Sequence, residues 1–230
     1  MSKIYYFTTK QNGADADIYI FGDIVTPEWE GWGGRADVSA HSLVSVLSAL
    51  EADTIRVHIN SYGGHVSEGL AILNSLAAHP AKIITFCTGF ACSAASVVFM
   101  AGDDRFMYPA SLLMIHNAWN AAVGTAEDLR KAAEDLDIVS QTAANAYKGR
   151  LNIDDDALSA LLDAETWIPP DRALEWGFAT GILRAPVTEK ASASVRGAVF
   201  RQLTTGEDPR PQPQKNAVNS LAAFFNVKNE

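Results

Sequence analysis

The chain has 230 residues, of which 48% are hydrophobic, so it can bury one complete α/β core and carry an additional tail. Its formal net charge of −9 argues against nucleic acid or an anionic membrane surface as the main partner. The N-terminal residues lack the apolar core of a signal peptide, and no apolar run approaches the roughly 20 residues of a bilayer span. We therefore expect a cytoplasmic protein that binds neither nucleic acid nor membrane.

The first half of the chain alternates strand and helix patterns after a loosely held arm at residues 1–14. A loop over 26–37 holds tryptophans, glycines and Pro27. Apolar alternation and helical periodicity predict, in order, a strand over 17–24, a helix over 38–50, a strand over 54–60, a helix ending at Pro80, and a strand over 82–87. Repeated strand–helix pairs predict a mostly parallel sheet layered with helices.

The second half of the chain continues this alternation and then changes character. The patterns predict strands over 106–108, 111–117 and 177–183, and helices over 94–100, 125–148, 153–162 and 171–176. Thr125 and Asp128 form the pattern of a capping box at the start of the longest helix. We expect a body at residues 15–185 and a basic tail at 186–230. In that tail, a proline-containing linker leads to a short amphipathic helix that folds only when docked.

Ser93 stands where the chain passes from an apolar strand pattern, through small residues, into an apolar helix pattern. That geometry can hold a serine hydroxyl at the end of a strand as a nucleophile. The alternative interpretation is structural, because small residues before a helix also serve close packing and serines often cap helices. The nearby Cys87 and Cys92 are predicted to be buried as small apolar residues rather than paired in a disulfide.

Further candidate site residues stand at two other predicted strand ends. His116 ends one strand, and Gly63-Gly64 follows another, where glycine can turn backbone N–H groups toward a pocket. Acyl transfer needs a base for the serine, an acid that orients the base, and N–H donors for the oxyanion. The N–H groups of Gly64 and Ala94 suit the last role. The candidate acids are Asp163, Glu165 and Asp171, and their spacing does not choose among them.

The motifs as a set resemble those of a known family, the Clp-type serine peptidases, over roughly residues 15–184. The segments that carry the likeness are Asn60-Ser61-Tyr62-Gly63-Gly64, Gly89-Phe90-Ala91-Cys92-Ser93, Met114-Ile115-His116-Asn117 and Glu165-Thr166-Trp167. Within the family, the chain is most similar to the phage head-maturation (prohead) branch. Val-Phe-Met-Ala-Gly at 98–102, His116-Asn117-Ala118-Trp119 and Glu165-Thr166-Trp167-Ile168 are typical of that branch.

The resemblance implies a crotonase-like ββα spiral that assembles into homo-oligomeric rings or double rings, with a handle helix from Thr125 joining the rings. It implies Ser93 as nucleophile, His116 as general base and Glu165 as the third member of the triad. Gly64 and Ala94 would form the oxyanion hole. The residues implied to bind a substrate peptide by strand addition are Gly63, Ala122, Val123 and Gly124. No cofactor and no metal are implied.

The sequence departs from the family pattern at four places near these motifs. Tyr62 replaces a common proline, Cys92 replaces a small residue, and Ala94 replaces a frequent methionine. Glu165 stands where an aspartate is usual, so the orientation of the imidazole is the weakest part of the comparison.

The favoured hypothesis is an ATP-independent serine endopeptidase that processes capsid or scaffold proteins during phage head maturation, in the host cytoplasm or inside the assembling head. One alternative is a general Clp-type proteolytic subunit that works with an ATP-driven unfoldase. A second is an acyl-CoA enzyme of the same fold. A third is a non-catalytic scaffold-binding protein, which would not require the serine–histidine pair.

Overall fold

The computed structural model describes residues 8–12, 14–31 and 36–183. In this part of the chain, one eight-stranded sheet is layered with helices. The strands are β1 (Thr8–Asn12), β2 (Asp15–Ile20), β3 (Thr54–Ser61), β4 (Lys82–Cys92), β5 (Asp104–Met107), β6 (Leu112–Ile115), β7 (Thr166–Ile168) and β8 (Gly181–Ile182). The helices are α1 (Ala40–Leu47), α2 (Val66–Ala77), α3 (Ala94–Phe99), α4 (Ala126–Ala144), α5 (Asp155–Asp163) and α6 (Pro170–Trp176).

The sheet is mostly parallel, as the alternation of strands and helices predicts. Its strand order is β1-β2-β3-β4-β5-β8, and β6 pairs with β4 and with β7. Only the pairs β1–β2 and β6–β7 are antiparallel among the described strands. The long strand β4 pairs with β5 through residues 84–87 and with β6 through residues 90–92. Because β4 serves two neighbours in succession, its C-terminal end lies beside the end of β6.

The core lies between the sheet and the helices that cover it. Strand β2 alternates half-buried and buried side chains, and so do the first six residues of β3, which gives each strand one apolar face. Every residue of α3 is buried, so this short helix is enclosed on all sides. Gly69 of α2 allows α2 and α3 to pack closely, since a Cβ at position 69 would lie 3.0 Å from the Cβ of Ala94 in α3.

Helix α4 is mostly exposed to solvent. The predicted capping box is present, because Thr125 Oγ1 accepts from the N–H of Asp128 and the Asp128 carboxylate accepts from the N–H of Thr125. Ala144 is the only fully buried residue of the helix. Apolar residues of α4, including Leu129, Ile138 and Val139, are exposed to solvent in the single chain. None of the described helices is both long enough and apolar enough to cross a bilayer.

The structure adds two strands that the sequence did not predict, and several predicted elements end elsewhere. The strand predicted over 17–24 ends at Ile20, and the one predicted over 177–183 is only Gly181–Ile182. Residues 8–12 of the predicted loose arm form β1, and β4 continues to Cys92 instead of ending at residue 87. Strand β7 was not predicted, since its three residues are too few to show a period. Helix α4 ends at Ala144, four residues early, and the chain turns there. The predicted linker and short helix of the tail lie outside the described residues.

Candidate active site

Ser93 occupies a sharp turn between β4 and α3. Its φ of 52° and ψ of −126° lie in a region that residues other than glycine rarely adopt. The Ser93 N–H donates to the carbonyl of Met114 on β6 at 2.8 Å, which holds the turn in place. Ser93 takes the N-cap position of α3, yet its hydroxyl makes no capping hydrogen bond. The Ser93 hydroxyl therefore does not cap the helix, as the structural interpretation would require.

The Ser93 hydroxyl points instead to His116, the residue that follows β6. Its Oγ lies 2.8 Å from His116 Nε2, and both residues are partly buried. The parallel pairing of Cys92 with Met114 sets this contact, because it brings the ends of β4 and β6 to the same edge of the sheet. A serine hydroxyl that faces an imidazole at this distance can lose its proton to the ring as it attacks a carbonyl.

The paired glycines after β3 lie against the same turn. Gly63 and Gly64 have φ values of 96° and 141°, which favour glycine. A Cβ on Gly63 would lie 2.8 Å from the Cβ of Ser93, so a side chain there would collide with Ser93. Ile24 forms hydrogen bonds on both sides of this glycine turn. Its N–H donates to the carbonyl of Gly63 at 2.7 Å, and its carbonyl accepts from the N–H of His65 at 2.9 Å.

Two backbone N–H groups remain for a bound oxygen beside Ser93. The N–H of Gly63 is used, since it donates to Ser61 Oγ at 3.0 Å. The N–H groups of Gly64 and Ala94 have no hydrogen-bond partner among the described residues. Both residues line the cavity that holds Ser93. Their position suits the stabilisation of a negative oxygen that forms on a substrate carbonyl.

The three candidate acids occupy different positions. Glu165 lies just before β7, lines the cavity, and has an unusual φ of 49°. The last pair of the β6–β7 register joins Ile115 to Thr166, so His116 and Glu165 are the residues next to that pair on the two chain segments. Asp163 instead accepts a hydrogen bond from Asn117 Nδ2 at 2.7 Å, and Asp171 lies in the first turn of α6. Among the described residues, no carboxylate is hydrogen-bonded to His116.

A cavity of about 1060 Å³ opens beside the Ser93–His116 pair. Its wall is formed partly by apolar side chains, among them Val97, Met114 and Leu162. Residues 117–121 form another part of the wall, and the N–H of Ala118 in this segment donates to Ser140 Oγ on α4 at 3.1 Å.

The structure places three predicted substrate-binding residues away from the cavity wall. Ala122, Val123 and Gly124 are exposed and belong to no described strand, and Val123 is fully exposed. Gly63, the fourth such residue, does line the cavity.

Sequence reasoning missed two residues beneath the nucleophile. Ser96 and Tyr147 are both buried, and their hydroxyl oxygens lie 2.7 Å apart. Nothing in the local sequence marks Ser96, and the helical spacing assigned Tyr147 to the apolar stripe of the long helix. Only the folded chain brings the two together, because they are 51 positions apart.

The two cysteines are buried, as predicted, and neither forms a disulfide. Burial raises the pKa of Cys87 to about 12 and that of Cys92 to about 11. Both thiols are therefore protonated near neutral pH, which makes them poor nucleophiles. The two thiols therefore do not compete with the Ser93 hydroxyl as candidate nucleophiles.

Comparison with known proteins gives a consistent result. The sequence pattern of the Clp protease family matches residues 34–186. Similar proteins include the ATP-dependent Clp protease proteolytic subunit of Deinococcus radiodurans, 30% identical over 145 residues that cover 60% of this chain and 71% of the relative. The subunit of the same name from Bacteroides thetaiotaomicron is 29% identical over 153 residues, 64% of this chain and 70% of the relative. The one from Bdellovibrio bacteriovorus is 28% identical over 163 residues, 67% of this chain and 77% of the relative.

Proposed function

This chain belongs to the Clp protease family of serine peptidases, and we propose that it is an endopeptidase in which Ser93 is the nucleophile. One observation carries the proposal: Ser93 Oγ lies 2.8 Å from His116 Nε2, beside two backbone N–H groups that have no hydrogen-bond partner among the described residues. A nucleophile, a base and an oxyanion site within one cavity are the parts that acyl transfer requires.

The first half of the reaction forms an acyl-enzyme. As Ser93 Oγ bonds to the substrate carbonyl carbon, its proton moves to His116 Nε2, and the electron pair of the C=O bond moves to the oxygen. The N–H groups of Gly64 and Ala94 donate to that oxyanion. When the intermediate collapses, the C–N bond breaks and His116 Nε2 gives its proton to the leaving amine.

The second half releases the acid product. Water takes the place of the amine, and His116 Nε2 accepts one of its protons as the water oxygen bonds to the acyl carbon. The bond to Ser93 Oγ then breaks, and Oγ recovers the proton from His116. Glu165 is the proposed third member of the triad, and two observations support it: Glu165 lines the same cavity as His116, and the two residues adjoin the last β6–β7 pair, Ile115 with Thr166. In that role it holds the imidazole in the required tautomer.

The proposed substrates are capsid or scaffold proteins that are cleaved during phage head maturation. The support is the likeness of the segments at 98–102, 116–119 and 165–168 to the phage branch. We further propose a homo-oligomeric ring. The exposed apolar residues of α4 support an assembly, since Leu129, Ile138 and Val139 would be covered by another subunit.

A second candidate function is that of a general proteolytic subunit fed by an ATP-driven unfoldase. The relatives' names favour it, because each is called an ATP-dependent Clp protease proteolytic subunit. The two functions differ in what limits hydrolysis. Cleavage of a folded protein that requires an unfoldase and ATP would favour the second function. Cleavage of assembled capsid or scaffold protein without ATP would favour the first.

The peptidase proposal is tested with a fluorophosphonate probe, which reacts with an activated serine. Purified protein is labelled, digested, and analysed by mass spectrometry to locate the modified residue. We expect the label on Ser93, none on the Ser93→Ala variant, and normal labelling of Ser111→Ala. Ser111 is a suitable control, since it is buried and its hydroxyl donates to the carbonyl of Tyr108. Labelling at another serine, or none on the wild type, would overturn the proposal.

A further inference from the structure

Two buried hydroxyl groups form a hydrogen-bonded chain that ends on the backbone carbonyl of Ser93. Tyr147 and Ser96 are 3% and 1% exposed, respectively. The Tyr147 hydroxyl lies 2.7 Å from Ser96 Oγ, and Ser96 Oγ lies 2.6 Å from the carbonyl oxygen of Ser93. The reaction described above uses neither hydroxyl, so their contact with this particular carbonyl needs an explanation.

The direction of these hydrogen bonds follows from the number of protons. Ser96 has one hydroxyl proton, and the Ser93 carbonyl can only accept, so Ser96 donates to Ser93. The remaining bond must then run from the Tyr147 hydroxyl to Ser96 Oγ. Burial raises the pKa of Tyr147 to about 12, so the phenol keeps its proton and remains a donor across the working range of an enzyme. Hydrogen bonds in such a chain polarise one another.

The Ser93 carbonyl belongs to the same peptide unit as the N–H of Ala94. A peptide unit is planar, and in the trans form its N–H points opposite to its C=O, so fixing the carbonyl also fixes the N–H. This matters here because the φ of Ser93 is 52°, a conformation that surrounding contacts must maintain. The N–H groups of Ser96 and Val97 also donate to the carbonyl, at 2.9 and 3.3 Å, and the Ser96 hydroxyl is its closest donor.

We propose that Ser96 and Tyr147 are positioning residues of the oxyanion hole, which aim the N–H of Ala94 at the substrate oxygen through the Ser93 carbonyl. Neither residue is the nucleophile or the base. The inference rests on the proposed peptidase function. It explains why a tyrosine hydroxyl is buried in the wall of the cavity, where an apolar residue would fill the same space without needing a partner.

The test compares Ser96→Ala and Tyr147→Phe with the wild type in peptide hydrolysis. We expect Ser96→Ala to lower kcat about tenfold and to leave KM unchanged. The loss of a whole oxyanion donor lowers kcat by about 10²- to 10³-fold, and a misaimed donor should cost only a part of that. Tyr147→Phe keeps the aromatic ring, whose centroid lies 5.7 Å from that of Phe178 in an edge contact. We expect a smaller fall in kcat for this variant, and that fall reports on the hydroxyl alone. A peptide boronic acid, which forms a tetrahedral adduct, should lose affinity by the same factor as kcat.

Ser111→Ala is the matched control. Its buried hydroxyl also donates to the carbonyl three residues earlier in the chain, but that carbonyl belongs to Tyr108. We expect it to keep wild-type kcat and wild-type boronate affinity. The double variant Ser96→Ala/Tyr147→Phe removes both hydroxyls and leaves no buried hydroxyl without a partner, so its melting temperature should exceed that of Ser96→Ala. Its kcat should nevertheless stay low.

The outcomes separate this inference from the function on which it rests. A wild type without Ser93-dependent hydrolysis overturns the peptidase proposal. If the wild type is active and Ser96→Ala matches Ser111→Ala in kcat and boronate affinity, only the positioning role is overturned. A double variant that recovers kcat together with melting temperature would also overturn it, because the hydroxyls would then serve stability alone. If Ser96→Ala does not fold, Tyr147→Phe and the double variant decide by the same readouts.

Discussion

His116 Nε2 lies 2.8 Å from Ser93 Oγ, although the two residues are 23 positions apart. The sheet sets this distance, since the N–H of Ser93 donates to Met114, two residues before His116 on the same chain segment. The backbone of Ser93 is thus attached to β6, the strand that leads directly into His116. A contact built on adjacent strands is maintained more firmly than one between two loops.

His116→Ala should lower kcat by a factor on the order of 10³ to 10⁶ and leave the fold intact. The imidazole is the only group within hydrogen-bond distance of the Ser93 hydroxyl among the described residues, so its loss leaves no base there. Steady-state hydrolysis of a peptide and the rate of fluorophosphonate labelling measure the effect. His41→Ala, at an exposed position on α1, is the control and should match the wild type. Labelling of His116→Ala at the wild-type rate would contradict the assignment.

Glu165→Ala should lower kcat by about 10³ or more, the usual consequence of losing the residue that orients the base. The prediction depends on the pairing of Ile115 with Thr166, since His116 and Glu165 are the residues next to that pair. Asp163→Ala should have little effect, because its carboxylate holds the Asn117 side chain instead. Hydrolysis rates of the two variants, measured at equal folded fraction, test the assignment. The reverse order would reassign the third member to Asp163.

The sequence predicted that Gly63, Ser93 and His116 lie near one another, because each stands at or after the end of a predicted strand. Strand patterns before Gly63, Ser93 and His116 were visible as apolar alternation, and the carboxyl ends of parallel strands share one edge of a sheet. The sequence did not predict β7, whose three residues carry no period. Consequently the sequence alone could not choose among the candidate acids. The pairing of β7 with β6 brings the segment of Glu165, but not that of Asp171, beside the strand that leads into His116.

Other features depend on contacts between distant segments, so no local pattern could show them. Tyr147 fits the helical period of the preceding helix, but α4 ends at Ala144 and the chain turns. That turn delivers Tyr147 to the core beneath α3 instead of extending the apolar stripe. The exposed position of residues 122–124 has a similar cause, because only the folded chain shows which part of the segment reaches the cavity.

Alkaline pH should destabilise the fold through its buried thiols. Cys87 has an ordinary pKa of 9.0, raised to about 12 in the fold, so above pH 9 the unfolded chain loses a proton that the folded chain keeps. The free energy of unfolding should therefore be unaffected below pH 9 and fall as the pH rises toward 12, by at most about 1.4 kcal/mol per pH unit for this group. Cys92, raised to about 11, acts in the same direction.

Urea unfolding between pH 8 and pH 10.5 measures this dependence. Cys87→Ala should be less stable than the wild type at pH 8 because of the lost packing, but its stability should fall less steeply with pH. Native protein should also resist iodoacetamide at pH 8, whereas urea-unfolded protein reacts at both cysteines. Equal slopes for Cys87→Ala and the wild type would show that other groups cause the alkaline loss.

The last prediction concerns the glycine that touches the nucleophile. Gly63→Ala places a Cβ 2.5 Å from the carbonyl oxygen of Cys92 and 2.8 Å from the Cβ of Ser93, at a φ of 96°. The surrounding atoms are backbone or the nucleophile itself, so they relieve the clash only by moving the active site. We expect kcat to fall at least a hundredfold, since displacement of reacting groups by about 1 Å costs that much.

Gly149→Ala separates the clash from backbone strain. Gly149 also has a positive φ, 75°, but a Cβ there would meet nothing within 4 Å. This variant should lose about 1 kcal/mol of stability from the left-handed conformation alone and keep the wild-type kcat. Thermal unfolding and peptide hydrolysis, measured on both variants, provide the comparison. Wild-type kcat in Gly63→Ala would contradict the close contact between this glycine and Ser93, because a methyl group cannot enter that space while both residues keep their positions.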